Sequence, residues 1–124
     1  MEYKGIKVAV LGASDKPERY SNKVINLLRQ KGYSVVPVHP SLNKIDEIPV
    51  VNNLSSIKEP VHTLSIYVSP ERISAHIDDI IKLKPGRVIL NPGTESDELE
   101  QALTKNNIPF QEACTLVLLK TGQF

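Results

Sequence analysis

The 124-residue chain contains a single cysteine, Cys114, and so can close no internal disulfide. Nothing in its cysteine usage points to an oxidising compartment or to a stapled mini-scaffold. One cysteine and three scattered histidines (His39, His62 and His76) match no zinc-ligand spacing, and no metal site is expected. An excess of one charge is also missing: 15 basic against 14 acidic residues leave a formal net charge of +1. With neither a basic stripe nor a basic tail, bulk binding to nucleic acid or to an acidic membrane is not expected. No run approaches the ~20 apolar residues that span a bilayer. The opening MEYKGIKVAV lacks the layout of a signal peptide. The expectation is a cytoplasmic protein.

What is present is ordinary globular composition, 40% hydrophobic and 23% charged. Length fits one domain over residues 1–124, and a chain of this size buries roughly two thirds of the surface it exposes when unfolded. Lys7–Leu11 is a nearly continuous apolar run, as in a strand covered on both faces, and Gly12 ends it. From about Ser21 to Lys31, Val24, Leu27 and Leu28 recur at helical spacing. Ser21 is placed to cap that helix, Tyr20 to fold over Ile25 as a staple, and Gly32 to stop it. Ser34–Val38 reads as a second strand despite Pro37, which cannot donate to a ladder.

His39–Pro60 is irregular, with one helical turn near Leu54–Ile57. Thr63–Val68 is a third strand. Ser69 then stands as an N-cap with Pro70 first in a helix carrying Ile73, Ile77, Ile80 and Ile81 on one stripe, ended by Pro85-Gly86. Arg87–Leu90 is a fourth strand. Thr94 and Asp97 have capping-box spacing ahead of Leu99, Ala102 and Leu103. Pro109–Gln111 is a fifth strand, and Cys114–Leu119 is either another strand or a packed terminal segment. Strands alternating with helices predict a doubly wound α/β domain with a parallel sheet.

In such sheets ligands bind beyond the carboxyl ends of the strands. The turns there are Gly12-Ala-Ser14, His39-Pro-Ser41, Ser69-Pro70 and Asn91-Pro-Gly93. They are small, polar or proline-bearing, and they lack the residues of hydrolytic or acid–base chemistry. The first turn suits a diphosphate, with a helix N-terminus behind it and Arg19 and Lys23 near that helix start. Its bland alternative is a glycine that merely ends a strand. The full Gly-x-Gly-x-x-Gly fingerprint is absent, with Ser14 and Pro17 at the second and third glycine positions. His39 has no identifiable carboxylate partner and reads as a wall beside an adenine rather than a base. His62 and His76 read as surface or structural residues. Cys114 reads as a buried thiol, the sharper alternative being one that forms a mixed disulfide with a ligand thiol.

Val8-Ala-Val-Leu-Gly-Ala-Ser14, followed by Pro17-Glu-Arg-Tyr-Ser21 and Val24, resembles the small stand-alone coenzyme A-binding proteins, which are related to the nucleotide-binding domain of succinyl-CoA synthetase. Gly32-Tyr-Ser-Val-Val-Pro-Val-His-Pro40, Val68-Ser-Pro70 and Glu112-Ala-Cys114 extend the resemblance from about Gly5 to Leu119. His39 stands where asparagine is usual, and Asn91-Pro-Gly93 where many members carry glutamine-x-glycine. The resemblance implies a five-stranded Rossmann-like sheet of order 3-2-1-4-5 with helices on both faces. It also implies coenzyme A across the strand ends. Gly12, Ala13 and Ser14 would hold the diphosphate, with Arg19, Tyr20 and Ser21 beside them. Val38, His39 and Pro40 would line the adenosine, with Val68, Ser69, Pro70 and Ile73 opposite, and Asn91, Pro92 and Gly93 would border the pantetheine arm.

The expected function is therefore non-catalytic binding of coenzyme A or acyl-CoA, as carrier, sensor or subunit. An acyl-CoA-using protein partner and a homodimer are both compatible with it. The phosphorylated histidine and nucleotide-grasp domain of the related synthetases lie outside the matched region. The alternative is an NAD(P)- or other nucleotide-dependent enzyme or sensor. Against it stands His39-Pro-Ser41 where an acidic residue should grip the ribose, Asp46 being several residues away. Gly12→Val is expected to abolish cofactor binding and leave the fold intact.

Overall fold

A computed structural model describes residues 5–124. Five strands form one parallel sheet: β1 (Lys7–Leu11), β2 (Ser34–Val38), β5 (Thr63–Ile66), β6 (Arg87–Leu90) and β7 (Phe110–Glu112), side by side in the order β2-β1-β5-β6-β7. Between β2 and β5 a two-residue-per-strand antiparallel pair, β3 (Lys44–Ile45) and β4 (Ile48–Pro49), and one 3₁₀ turn at Leu54–Ser56 break up the irregular stretch. The helices are α1 (Tyr20–Gln30), α2 (Pro70–Ile73), α3 (Ile77–Leu83), α4 (Asp97–Lys105) and α5 (Thr115–Lys120).

The order 3-2-1-4-5 holds in a specific sense. Val51 makes a single parallel bridge to Val38, with Val51 N–H on the Pro37 carbonyl and His39 N–H on the Val51 carbonyl, both 3.0 Å. Counted as the third strand, Val51 lies outside β2, and the series from that edge runs 3-2-1-4-5 with β7 beyond. Thr63–Ile66, which the sequence reads as the third strand, is the fourth and lies between β1 and β6. The same bridge accommodates Pro37. A residue's N and C=O point to one side of a strand, so the nitrogen without a hydrogen faces the outer edge rather than β1.

β1 lies between β2 and β5 and is buried on both faces, and its residues divide with period two. Val8 and Val10 pack with Val24, Ile25 and Leu28 of α1 and with Leu116 and Leu119 of α5. Ala9 and Leu11 face the other way, into Leu54, Ile73, Ile77, Ile80, Leu99 and Leu103. The layers are thus α1 and α5 on one face and α2, α3 and α4 on the other. Burial of these aliphatic side chains is the main stabilising term. Truncating one, Leu28→Ala for example, costs about 2–5 kcal/mol.

Several local expectations change. Ser21 does not cap α1; the cap position is Arg19, which makes no side-chain capping bond, and Ser21 sits inside the first turn. Tyr20 is 64% exposed, so it cannot staple over the buried Ile25. Ser69 does precede Pro70 at the start of α2, but its hydroxyl forms no capping bond. The stripe Ile73-Ile77-Ile80 is carried by α2, a 3₁₀ turn at Ser74–His76 and α3 in succession. It ends at Lys84 in the left-handed region (φ 50°), one residue before Pro85-Gly86. The cap of α4 is Ser96, whose Oγ accepts from Leu99 N–H at 3.2 Å, while the Thr94 hydroxyl donates to the Asn91 carbonyl. The open ending at Cys114–Leu119 resolves as a helix, because Leu116 and Leu119 meet α1.

Candidate functional site

A cleft of about 920 Å³ opens above the carboxyl ends of β1, β2 and β5. Its first side is the loop after β1. Gly12 adopts φ +87°, and a Cβ there would lie 3.0 Å from the carbonyl carbon and oxygen of Tyr67. The glycine is thus demanded by the close passage of two backbones. Gly12 and Ala13 N–H both donate to the Val38 carbonyl, at 3.2 and 3.1 Å, so neither is available to a diphosphate. They shape the cleft instead.

The rest of that loop is tied to α1 by Asn22. This residue is 2% exposed, donates Nδ2–H to the Ser14 carbonyl at 2.9 Å, and accepts from Asn26 on its Oδ1. The Ser14 hydroxyl oxygen accepts from Lys16 N–H at 3.1 Å and keeps its own proton to donate. Beyond it, the first N–H groups of α1 have no acceptor within the helix and carry the positive end of its dipole. Lys16, Arg19, Tyr20 and Ser21 line this side. Lys23 does not; its ammonium lies over the Tyr20 ring, 5.4 Å from the centroid.

The second side comes from β2. Val38 is buried, and the His39 ring is fixed by two backbone amides, Ser41 N–H and Leu42 N–H, each 3.1 Å from Nδ1. Amides only donate, so Nδ1 accepts and the ring proton sits on Nε2. Asn52 braces the turn by donating to the carbonyls of His39 and Leu42, and Pro40 and Leu42 complete the wall.

The third side follows β5: Tyr67, Val68, Ser69, Arg72 and His76. Burial pushes the Tyr67 phenol up to about 12, so it stays protonated through the physiological range. Its hydroxyl is buried and unpartnered beside Ser65 and Thr115, whose hydroxyls bond each other at 2.8 Å.

Of the residues expected at the site, the cleft gathers Gly12, Ala13, Ser14, Arg19, Tyr20, Ser21, Val38, His39, Pro40, Val68 and Ser69. Pro70, Ile73, Asn91, Pro92 and Gly93 do not line it. Ile73 is fully buried in the core below. Asn91 is spent on the fold: Nδ2 donates to Ser65 Oγ and to the Ile66 carbonyl, both 2.9 Å, and Oδ1 accepts Thr115 N–H at 2.8 Å. Gly93 N–H donates to Glu95. The cleft adds Leu11, Asp15, Lys16, Leu42, Asn52, Asn53, Tyr67, Arg72 and His76. Asp15-Lys16 could be found as the direct continuation of the Ser14 turn, and Arg72 and His76 by their four-residue spacing. Asn52 and Asn53 arrive only through the β3–β4 excursion, for which the sequence offers no signal. His76, read as a surface or structural residue, is a cleft residue.

Among the described residues no group of histidine, cysteine, aspartate and glutamate is arranged to hold a metal, and no helix is long and apolar enough to cross a membrane. Cys114 is half-buried at the start of α5, packed with the α1-side core. The strongly shifted carboxyl lies away from the cleft: Glu100 on α4 is raised to about 7, first by a hydrogen bond with Glu112, then by burial and the charges of Glu112, Asp97 and Glu95.

These features define a doubly wound α/β domain of Rossmann type with its cleft at the strand ends. The chain belongs to the CoA-binding domain family, whose model matches residues 7–120. It is 24% identical over 97 residues to the uncharacterized protein YneT of Bacillus subtilis, covering 78% of this chain and 72% of that one. Among solved structures, an uncharacterized protein superposes with a TM-score of 0.90 at 34% identity, covering 96% and 98% of the two chains. A Thermus thermophilus protein gives 0.87 at 33% identity, covering 96% and 90%. A dinucleotide-forming acetyl-coenzyme A synthetase of Ca. Korarchaeum cryptofilum, at 18% identity and a TM-score of 0.76, shares the fold over 90% of this chain and 26% of its own.

Proposed function

We propose that the chain binds coenzyme A or an acyl-CoA in this cleft without reacting with it, acting as a carrier, a sensor or a subunit of an acyl-CoA-using assembly. The observation that carries the reading is the donor set of the cleft. Lys16, Arg19 and the open N-terminus of α1 stand together on one side, and Val38, Leu42 and Val68 offer apolar surface on the others. A diphosphate fits the first group, through charge and directed N–H donors. An adenine fits the second, with the His39 Nε2–H as an edge donor. Bound coenzyme A would supply a thiol that carries an acyl group.

Three of the cleft's groups support the non-catalytic part of the reading. The Tyr67 phenol, pushed up to about 12, is a donor and not a base. The His39 Nδ1 is occupied by two amides. Asp15, the carboxylate lining the cleft, is exposed on a loop tip.

Isothermal titration of the purified protein with coenzyme A, NAD and ATP tests the proposal. Saturable binding of coenzyme A in preference to the other two supports it. Binding of NAD or ATP without coenzyme A would overturn it in favour of a generic nucleotide domain.

A further inference from the structure

The cleft's basic residues come from both faces of the sheet. Lys16 and Arg19 precede α1, which packs with α5 on one face; Arg72 and His76 belong to the α2–α3 stretch, which packs on the other. Ile73, between the latter two, is fully buried and anchors them at the rim. Among the described residues the side chains of Lys16, Arg19 and Arg72 enter no hydrogen bond or ion pair within the fold. A single diphosphate set against α1 engages Lys16 and Arg19 and leaves Arg72 and His76, on the side that follows β5, without an anionic partner.

Two basic groups on different sides of one cleft match a ligand with two separate phosphate groups. NAD, with its one diphosphate, is not such a ligand; coenzyme A has a diphosphate and a ribose 3′-phosphate. We infer that Arg72 and His76 form a second phosphate site that takes this ribose phosphate and makes the cleft select coenzyme A over 3′-dephospho-coenzyme A. The inference rests on the coenzyme A reading above and adds to it which residues discriminate. A guanidinium suits a phosphomonoester because its planar fork offers parallel N–H donors. His76 adds a ring N–H from one helical turn further on.

The test is the ratio of affinities for the two coenzymes, measured by titration on the wild type, on Arg72→Ala/His76→Ala and on Lys16→Ala/Arg19→Ala. Wild type is expected to favour coenzyme A by about tenfold or more, the worth of one charge-assisted bond pair. The first double variant should bring the ratio close to one. The second should weaken both ligands and keep the preference. A partly unfolded variant weakens both ligands alike, so the ratio still reports on the ribose phosphate. Equal binding of both coenzymes by the wild type, or a preference that survives Arg72→Ala/His76→Ala, overturns this site and leaves coenzyme A binding standing. If neither coenzyme binds, or if NADP binds in their place, the coenzyme A reading itself falls and this assignment with it.

Discussion

At the scale of single residues, the turn after β1 is governed by backbone geometry more than by ligand donors. Gly12 combines φ +87° with a Cβ position 3.0 Å from the Tyr67 backbone. That pair of facts corrects the expectation that Gly12→Val would spare the fold. A side chain there is strained by its dihedral and meets backbone that cannot swing aside. Gly12→Ala is therefore predicted to lower stability by about 1–3 kcal/mol, read as a drop in Tm, before any ligand is added. An unchanged Tm would contradict this account. Asn91 is the second such residue. All three hydrogen bonds of its side chain are buried and join β6 to β5 and to the start of α5. Asn91→Leu strands Thr115 N–H and is predicted to cost about 1–3 kcal/mol, checked by denaturant unfolding.

The elements carry a tension between stability and binding. α1 begins at an extended cap position (φ −77°, ψ 141°) occupied by Arg19, which supplies no capping oxygen. Serine is a far better cap, and Arg19→Ser is predicted to stabilise the fold by about 0.5–2 kcal/mol. Arg19 also lines the cleft, so the same variant should bind coenzyme A more weakly; Tm and titration on one preparation check both signs. At the other end of the chain α4 and β7 bring Glu100 against Glu112. The Glu100 carboxyl, ordinarily near 4.5, is raised to about 7 in the folded state. A raised carboxyl means the folded chain binds the proton more tightly, so the stability this gives is present below pH 4.5 and is lost as pH rises through about 7. Glu100→Gln should flatten that decline and raise Tm at pH 8, with little change at pH 4.5. A lower Tm than wild type at pH 8 would show that the pair does not repel.

At the scale of the molecule, both faces of one sheet feed one cleft, so the proposed binding is coupled to the fold. A ligand that binds only the folded chain stabilises it by about 2.7 kcal/mol at a hundredfold excess over Kd. Coenzyme A should accordingly raise Tm in a concentration-dependent way, and a flat melting curve series would argue against the proposed function. The strand and helix pattern behind this architecture was legible in the sequence, because buried parallel strands and amphipathic helices leave periodic marks at short range. β1, β2 and β6 lie where the apolar runs place them, and the glycine turn stands at the end of β1. Caps were less legible. Arg19 at a cap position, and Ser96 rather than Thr94 at the start of α4, depend on chain direction set by packing.

The α/β class, the positions of the turns beyond the strands and the family resemblance are legible from the residues alone, since all three are written in local order. Three matters of long range were settled by the assembled fold. It placed Val51 outside β2 and Thr63–Ile66 beside β1, through hydrogen bonds between segments distant along the chain. It tied the Asn91 side chain into the fold by giving both of its polar atoms buried partners. It brought Arg72, His76 and Asn52 to the same cleft as Ser14. Burial and hydrogen-bond satisfaction are properties of the assembled chain, and they separate residues that shape the site from residues that can face a ligand.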